Sequence, residues 1–240
     1  MTELRIEGLT AGYVRDLPIL REVSLRAESG RLTVIIGPNG AGKSTLIKGI
    51  AGLVPVSGGR VSLGGRDITG LRPDGMGTEG LAYVPQTDNI FRQLTISENL
   101  ALVLRRNPDR AARRAALYTL FPALADKREA RAGALSGGQR QMLAVAMALA
   151  NEPRVILMDE PSAGLSPLIA GEVLDLARAL TTQGVTVLLV EQNVKQALRV
   201  ADHCYILAEG RNQIDGPAAS IASDPVVADI YLGGRRMAAS

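Results

Sequence analysis

The clearest chemical pattern in the sequence is the glycine-rich stretch "GPNGAGKST". Its glycines let the backbone fold around a phosphate with N–H groups pointing inward, Lys43 can neutralise the β- and γ-oxygens, and the Ser44 hydroxyl can bind Mg²⁺. The stretch follows a continuously apolar run and precedes a helical pattern, which is the context of a phosphate-binding loop (P-loop). A glycine-rich turn that only caps a helix is the alternative. The expected nucleotide-binding residues are Gly37, Pro38, Asn39, Gly40, Ala41, Gly42, Lys43, Ser44 and Thr45.

Two adjacent carboxylates end a second apolar run, "VILMDEP". A carboxylate at the end of a buried strand is costly unless it faces a cation or a hydrogen-bond donor, so we expect Asp159 to face Mg²⁺ through Ser44 or a bound water. Glu160 follows it and points to the opposite side of the strand end. It can therefore act as general base for a water that attacks the γ-phosphate, and a solvated surface carboxylate is the alternative.

A second glycine-containing stretch, "LSGGQRQ", begins at Leu135 and opens a helical pattern. Such helix starts present backbone N–H groups to anions, so Ser136, Gly137 and Gly138 form a candidate phosphate contact. No lysine follows them, unlike the residues of the P-loop. The stretch therefore predicts either half of a phosphate site, completed by residues from elsewhere, or a core helix that starts with glycines.

The elements that must position these residues follow from the spacing of apolar residues. Three continuously apolar runs, Leu32–Gly37, Val155–Glu160 and Val185–Glu191, are typical of strands buried on both faces of a parallel sheet. Apolar residues at every second position near the start of the chain indicate antiparallel strands with one solvated face. These residues are Leu4, Ile6, Val23, Leu25 and Ala27.

Helical spacing dominates the middle of the chain, in "SENLALVLRRNPDRAARRAALYTLF" and up to Ala150. The stretches "VPVSGG" and "LRPDGMG" are predicted turns. The predicted fold is a single α/β domain, residues 1–240, with a P-loop core and an N-terminal antiparallel β layer (1–90 and 152–240) and an inserted helical subdomain (91–151).

Composition excludes several classes of protein. A net charge of +3 is too small to identify a polyanionic partner, and 3% aromatic residues without tryptophan are poorly suited to stacking on bases. Cys204 is the only cysteine, which excludes an internal disulfide and a cysteine-based zinc site. The longest apolar run, Met142–Ala150, is about half the length that spans a bilayer, so we expect a cytosolic protein unless a partner carries it elsewhere.

The P-loop, then LSGGQ, then an apolar strand ending in Asp-Glu together resemble the ATP-binding subunit of an ABC transporter, over nearly the whole chain. The resemblance implies a RecA-like core, ATP hydrolysis, and ATP and Mg²⁺ as cofactors. It also implies a second ATP-binding subunit, identical or different, that faces this one head to tail. In that arrangement Ser136, Gly137, Gly138 and Gln139 close over the γ-phosphate of the partner's ATP, whose lysine comes from the partner.

The resemblance assigns further residues one at a time. Tyr13 matches the aromatic residue that stacks on adenine, although a lone tyrosine also serves in packing. Gln86 matches the glutamine that senses Mg²⁺ and the attacking water, and Ser162–Pro167 matches the segment that crosses the dimer interface. Gln192 stands where most of the family has a histidine at the γ-phosphate, and His203 is expected to be a surface or packing residue. The implied catalytic residues are Glu160, Gln192 and Gln86, and the implied metal ligands are Ser44, Gln86 and Asp159.

Within the family, "YVPQTDNIFRQLTISENL", "DEPSAGLSP" and "LVEQNVKQAL" resemble importers of branched-chain amino acids, in which one of two paired subunits carries Gln-Asn where the other carries His-Asp. A "YLG" like Tyr231–Gly233 is also typical of that branch. The resemblance implies integral membrane permeases as partners, a periplasmic or extracellular binding protein acting indirectly, and a peripheral position on the cytoplasmic face of the inner membrane. Related systems for urea, short amides or aromatic acids use similar subunits.

Two other functions remain open from the sequence. A soluble ABC ATPase that acts on nucleic acid or the ribosome usually has paired ATP-binding domains, coiled-coil insertions or metal-binding cysteines, and this chain has none of them. We therefore expect no nucleic-acid partner. A cluster of arginines is the only feature that favours one, and a solvated helix face explains it: Arg105, Arg106, Arg110, Arg113 and Arg114. The other function is a regulatory subunit that binds ATP without turnover, which Gln192 favours and Lys43, Asp159 and Glu160 oppose.

Overall fold

Two β-sheets form the framework of the protein in a computed structural model that describes residues 2–14, 16–87, 89–224 and 227. In the described part of the chain the strands are β1 (Leu4–Ala11), β2 (Leu20–Ala27), β3 (Leu32–Ile36), β4 (Val56–Leu63), β5 (Arg66–Asp67), β6 (Leu81–Val84), β7 (Val155–Asp159), β8 (Thr186–Val190), β9 (His203–Ala208) and β10 (Arg211–Pro217). The first sheet has the order β2-β1-β4-β5 and is antiparallel throughout. The second has the order β10-β9-β3-β8-β7-β6 and is parallel except for the pair of β10 and β9.

Most helices connect the strands, and four of them, α3 to α6, follow one another between β6 and β7. They are α1 (Lys43–Ile50), α2 (Pro73–Met76), α3 (Ile96–Val103), α4 (Arg110–Leu120), α5 (Pro122–Ala125), α6 (Gly137–Leu149), α7 (Pro167–Thr182), α8 (Val194–Val200) and α9 (Ala218–Ala222). The predicted helical run divides between α3 and α4, where Pro108 cannot continue a helix. Among the described helices none has the length and apolar character needed to cross a membrane. The division of the chain at residues 91 and 151 stays a prediction, and Tyr231–Gly233 lies outside the described residues.

The structure confirms the predicted parallel sheet. Strands β3 and β7 each pair in parallel with β8, and every residue of the three strands is buried. Alternate residues of these strands enter two different apolar clusters. In β3, Val34 and Ile36 pack with the helices α3 to α8, whereas Ile35 packs with β1, β2 and α1. The central sheet is therefore covered on both faces, and its carboxyl edge is left for the loops that follow β3, β7 and β8.

The predicted turns at "VPVSGG" and "LRPDGMG" are only partly correct. The first contains the start of β4, and the second contains the short helix α2. The glycines of "VPVSGG" serve a bulge inside the strand: Gly59 has φ +83°, and a Cβ there would lie 2.3 Å from the carbonyl oxygen of Gly8. The register between β1 and β4 shifts at this point. A glycine in a strand therefore marks a close approach of two backbones here and does not end the strand.

The arginine cluster between α3 and α4 is exposed except for Arg113, which is half-buried. Its Nε donates to the carbonyl of Ala150 at 3.1 Å, its Nη2 lies 2.5 Å from the carbonyl oxygen of Leu149, and its Nη1 is 3.1 Å from Glu152. A guanidinium at a helix C-terminus satisfies carbonyls that have no partner within the helix. Arg113 therefore ties α4 to the end of α6, and the solvated-face interpretation holds only for the other four arginines.

Candidate nucleotide site

The P-loop fills the gap between the end of β3 at Ile36 and the start of α1 at Lys43. Its glycines are required by geometry. A Cβ on Gly37 would lie 2.0 Å from the carbonyl oxygen of Leu207 in β9, and Gly42, at the N-cap of α1, has φ +96°. Only glycine takes both positions without displacing backbone. The loop therefore leads directly into the N-terminus of α1, and a glycine-rich loop before a helix N-terminus suits phosphate.

Lys43 is the buried cation of this loop, with 5% of its surface exposed. Its Nζ donates to the carbonyls of Gly37 at 3.0 Å and Pro38 at 3.2 Å, and it lies 3.9 Å from Glu160 Oε1. The loop borders a cavity of about 210 Å³ lined by Ile19, Asn39, Gly40, Ala41, Gly42, Lys43, Ser44, Thr45 and Glu160. The ammonium group is thus held at the cavity by the backbone of the loop itself.

Asp159 and Ser44 meet as the sequence predicts. The Ser44 hydroxyl donates to Asp159 Oδ1 at 2.9 Å, and the Tyr83 hydroxyl lies 3.4 Å from Oδ2. Burial raises the pKa of Asp159, and the bond from Ser44 and the charges of Lys48 and Lys43 oppose that shift. A hydroxyl and a carboxylate suit Mg²⁺. Over the described residues no group of three or more His, Cys, Asp or Glu side chains could hold a metal, so Mg²⁺ here would take further ligands from phosphate and water.

Glu160 has an unusual backbone conformation for a residue other than glycine, with φ +46°. Its N–H donates to the carbonyl of Val190 at 2.9 Å, which fixes it against β8. Its Oε2 accepts a 3.0 Å hydrogen bond from Gln86 Nε2. Such strained positions cost about 1–3 kcal/mol and concentrate at functional sites. The Glu160 carboxylate lines the P-loop cavity, so the alternative of a solvated surface carboxylate does not apply.

Gln192 also reaches the P-loop, because its Nε2 donates to Asn39 Oδ1 at 3.1 Å. The neighbouring Asn193 has a different task, since its side chain accepts a bond from the Gln196 N–H at the start of α8. His203 begins β9 at the other edge of the sheet and lies 3.3 Å from Asp215. The structure therefore brings Gln192, and not the only histidine, to the P-loop.

The LSGGQ stretch starts α6 with a capping box. The Ser136 hydroxyl accepts from the Gln139 N–H, and Gln139 Oε1 accepts from the Ser136 N–H, both at 3.3 Å. Gly137 lines a separate cavity of about 200 Å³, beside Gln86 and Gly164. Within the described residues no hydrogen bond or ion pair joins Ser136–Gln139 to the P-loop. The two glycine-containing stretches thus line different cavities of one chain.

The two glycines of LSGGQ are also needed for packing within the chain. A Cβ on Gly137 would lie 2.7 Å from Leu165 Cδ2, and one on Gly138 would lie 2.4 Å from Ile169 Cγ2. We expect Gly138→Ala to lower the free energy of unfolding by about 1–3 kcal/mol through overpacking. Thermal unfolding measures this, and adding Ile169→Ala should make the double variant less unstable than the sum of the single variants predicts.

Gly171→Ala is the matched control, since it adds the same methyl group within α7, where Arg199 Nη2 at 4.0 Å is the nearest atom. That variant should be unchanged or more stable by up to about 1 kcal/mol, because alanine favours helix. Equal destabilisation by Gly138→Ala and Gly171→Ala would contradict the packing explanation.

Three further residues lie near the site, and only one of them was predicted from the sequence. Tyr13, predicted to stack on adenine, is 57% exposed between β1 and β2 and does not line the P-loop cavity. Ile19 does line it, and Tyr83 contacts Asp159, yet neither was predicted. No motif marks them: Ile19 lies in the segment just before β2, and Tyr83 lies in β6, which pairs with β7.

Comparison with known proteins identifies the family. A family model described as "ABC transporter" matches residues 20–163, more than half of the chain. The chain is 43% identical over 233 residues to the probable branched-chain amino acid transport ATP-binding protein LivF of Archaeoglobus fulgidus, covering 96% of this chain and 98% of that protein. It is 38% identical over 224 residues to the high-affinity branched-chain amino acid transport ATP-binding protein BraG of Pseudomonas aeruginosa, covering 92% and 96%. It is 36% identical over 234 residues to the lipopolysaccharide export system ATP-binding protein LptB of Acidithiobacillus ferridurans, covering 96% of each.

Solved structures agree with these sequence relatives. The crystal structure of the ADP conformation of an ATP-binding cassette of an ABC transporter matches with a TM-score of 0.85 and 30% identity, covering 98% of this chain and 100% of that one. A dimeric post-hydrolysis structure of an ATP-binding cassette bound to ADP and phosphate matches with a TM-score of 0.77 and 25% identity, covering 90% and 98%. The predicted family and fold class are confirmed. The chain therefore belongs to the ABC transporter family, as an ATP-binding subunit that hydrolyses ATP.

Proposed function

We propose that each predicted residue of the site has a separate role in ATP hydrolysis. Lys43 and the N–H groups of the P-loop bind the phosphates, and Glu160 accepts the proton of the attacking water. Gln86 and Gln192 orient that water and contact the γ-phosphate. One observation carries the proposal: the Glu160 carboxylate lies beside the Lys43 ammonium, at 3.9 Å, in the cavity that the P-loop forms.

Mg²⁺ belongs to the same proposal, with Ser44 and Asp159 as its protein ligands and Gln86 close to it. The 2.9 Å contact between the Ser44 hydroxyl and Asp159 supports this pair. The ion would neutralise charge on the phosphates. Tyr13 is proposed to stack on the adenine, since its exposed ring lies on the segment that leads from β1 to Ile19 at the cavity.

The separation of LSGGQ from the P-loop supports a site that two subunits share. The glycines at the start of α6 are not followed by a lysine, unlike those of the P-loop, although the helix start itself suits an anion. In a head-to-tail pair, Ser136, Gly137, Gly138 and Gln139 would cover ATP bound by the P-loop of the partner. The dimeric form of a related ATP-binding cassette supports this arrangement.

Ser136→Arg tests the shared site. We expect ATP binding by the isolated subunit to stay within about twofold of wild type, because this residue lies outside its own P-loop cavity. ATP-dependent association with a second ATP-binding subunit should be lost, since the larger cation would occupy the place of the partner's phosphate. Size-exclusion chromatography with the Glu160→Gln variant, which should accumulate the closed pair, measures the association.

Thr95→Arg provides the control for the lost helix cap. Thr95 forms the same kind of capping box with Glu98 at the start of α3, and losing such a cap costs about 0.5–2 kcal/mol. The Thr95 variant should still associate. If the isolated Ser136 variant does not bind ATP, LSGGQ belongs to the site of its own chain and the shared-site proposal is wrong.

The proposed transport function is ATP-driven uptake of branched-chain amino acids or a related small polar substrate. It is supported by Gln192 and Asn193 in the segment after β8 and by the similarity to LivF and BraG. The partners would be integral permeases, with a periplasmic or extracellular binding protein acting indirectly, at the cytoplasmic face of the inner membrane. Lipopolysaccharide export is the second candidate, because LptB is similar over the same length.

Purification of the complex from native membranes, through a tag on this chain, tests the transport function. We expect permease subunits to co-purify and proteoliposomes of the complex to take up leucine, isoleucine or valine when ATP is supplied. The Glu160→Gln complex is the control and should bind ATP without uptake. ATP hydrolysis stimulated by lipopolysaccharide, with no amino-acid uptake, would favour export instead.

A further inference from the structure

Glu191 is a buried carboxylate outside the predicted site, directly after β8, with 1% of its surface exposed. One of its oxygens accepts a 3.1 Å hydrogen bond from the Ser162 N–H. The other accepts bonds from the Ser162 hydroxyl at 2.8 Å and from the Gln192 N–H at 3.2 Å. Burial raises the pKa of Glu191, and the bonds from Ser162 and Gln192 oppose the shift. All three groups donate, two from Ser162 and one from Gln192, which suits the ionised carboxylate because that form only accepts.

These bonds join two segments that reach the nucleotide site from different strands. Ser162 follows Glu160 closely on the segment after β7, and Gln192 bonds to Asn39 of the P-loop. The backbone of Glu191 is itself fixed to the strand that precedes the P-loop, since its N–H donates to the carbonyl of Ile35 at 3.2 Å. One side chain therefore ties the segment carrying the general base to the segment carrying Gln192.

We propose that Glu191 is a positioning residue for ATP hydrolysis: by holding the Ser162 segment, it fixes where Gln192 lies relative to the P-loop. It acts through Gln192 and does not touch the phosphates, so the inference rests on the role proposed for Gln192. A glutamine at this position offers one acceptor oxygen and one donating NH₂ group, so either the Ser162 N–H or the Gln192 N–H would face a donor. A buried donor left without an acceptor is costly, and the segments would move apart.

The test is steady-state ATP hydrolysis by the complex purified through this chain. We expect Glu191→Gln to lower kcat about tenfold and to leave KM for ATP within about twofold, because the P-loop contacts are unchanged. In a Gln192→Ala background the same change should cause no further loss, since the residue that it positions is gone. Losses of kcat that multiply in the double variant would overturn the inference.

Asp202→Asn is the matched control. The Asp202 carboxylate also holds backbone, accepting from the Leu32 N–H at 2.9 Å and pairing with Arg178, but it lies at the other edge of the same sheet. Both Asp202→Asn and Glu191→Gln should lower the thermal midpoint, but Asp202→Asn should leave kcat unchanged. The role of Glu191 is overturned if Asp202→Asn loses as much kcat as Glu191→Gln. It is also overturned if Glu191→Gln has a normal kcat while Gln192→Ala is impaired. Normal kcat in Gln192→Ala alone removes the proposed role of Gln192, and the inference fails with it.

Discussion

Glu160→Gln is expected to lower the rate of ATP hydrolysis about 10²- to 10⁴-fold while ATP still binds. An amide oxygen can keep the 3.0 Å hydrogen bond from Gln86 Nε2, so the side chain stays in place. It cannot accept a proton near neutral pH. The change also removes the negative charge 3.9 Å from Lys43, which leaves that cation to the phosphates, and ATP affinity should be equal or higher. Single-turnover hydrolysis and the nucleotide retained by the purified complex measure both effects.

Glu152→Gln is the matched control for this variant. Glu152 precedes β7, has a similar left-handed backbone with φ +51°, and pairs with Arg113 away from the P-loop cavity. It should hydrolyse ATP at the wild-type rate. Near-normal turnover by Glu160→Gln would show that another group accepts the proton, and a stalled Gln192→Ala would then identify the segment after β8 as the place to look.

Lys43→Ala is expected to abolish nucleotide binding under conditions in which the wild type is saturated. Lys43 is buried and held by two carbonyls of its own loop, so its charge would meet the phosphates at low solvent exposure. Removing one partner from a buried charge pair costs about 2–5 kcal/mol or more. Isothermal titration with ATP and steady-state hydrolysis measure the loss, and circular dichroism checks that the variant folds.

Lys48→Ala distinguishes direct contact from general positive potential. Lys48 lies about one turn further along α1, and its charge opposes the rise that burial causes in the pKa of Asp159. If Lys43 acts by contact, the Lys48 variant should keep ATP affinity within about threefold, since a charge at longer range interacts weakly. Equal losses in both variants, or normal affinity in Lys43→Ala, would contradict the assignment of the P-loop lysine.

The sequence was sufficient wherever chemistry and position are set by neighbouring residues. The P-loop could be predicted because its glycines fill a short loop between a strand and a helix, and its lysine and serine begin that helix. The buried strands could be predicted because a continuous apolar run has few alternatives to a covered parallel sheet. The Ser-x-x-Gln spacing also indicates the capping box of Ser136 and Gln139, although it was not predicted above.

The turns at "VPVSGG" show where local spacing misleads. Gly59 has the type and position of a turn residue, yet it serves a bulge because β1 passes close to it. The local sequence does not show which strand pairs with β4. Pairing is decided by the apolar face shared with distant residues, so a glycine's purpose depends on what packs against it.

Only the tertiary structure decided which distant side chains meet at the site. Gln86 reaches Glu160, and Glu191 holds Ser162, because β6, β7 and β8 are neighbours in one parallel sheet whose carboxyl ends share an edge. LSGGQ lines a cavity separate from that of the P-loop. In this protein the motifs determine which chemical groups are present, whereas the strand order determines the distances between them. Residues that are far apart in sequence come into contact only when the chain packs.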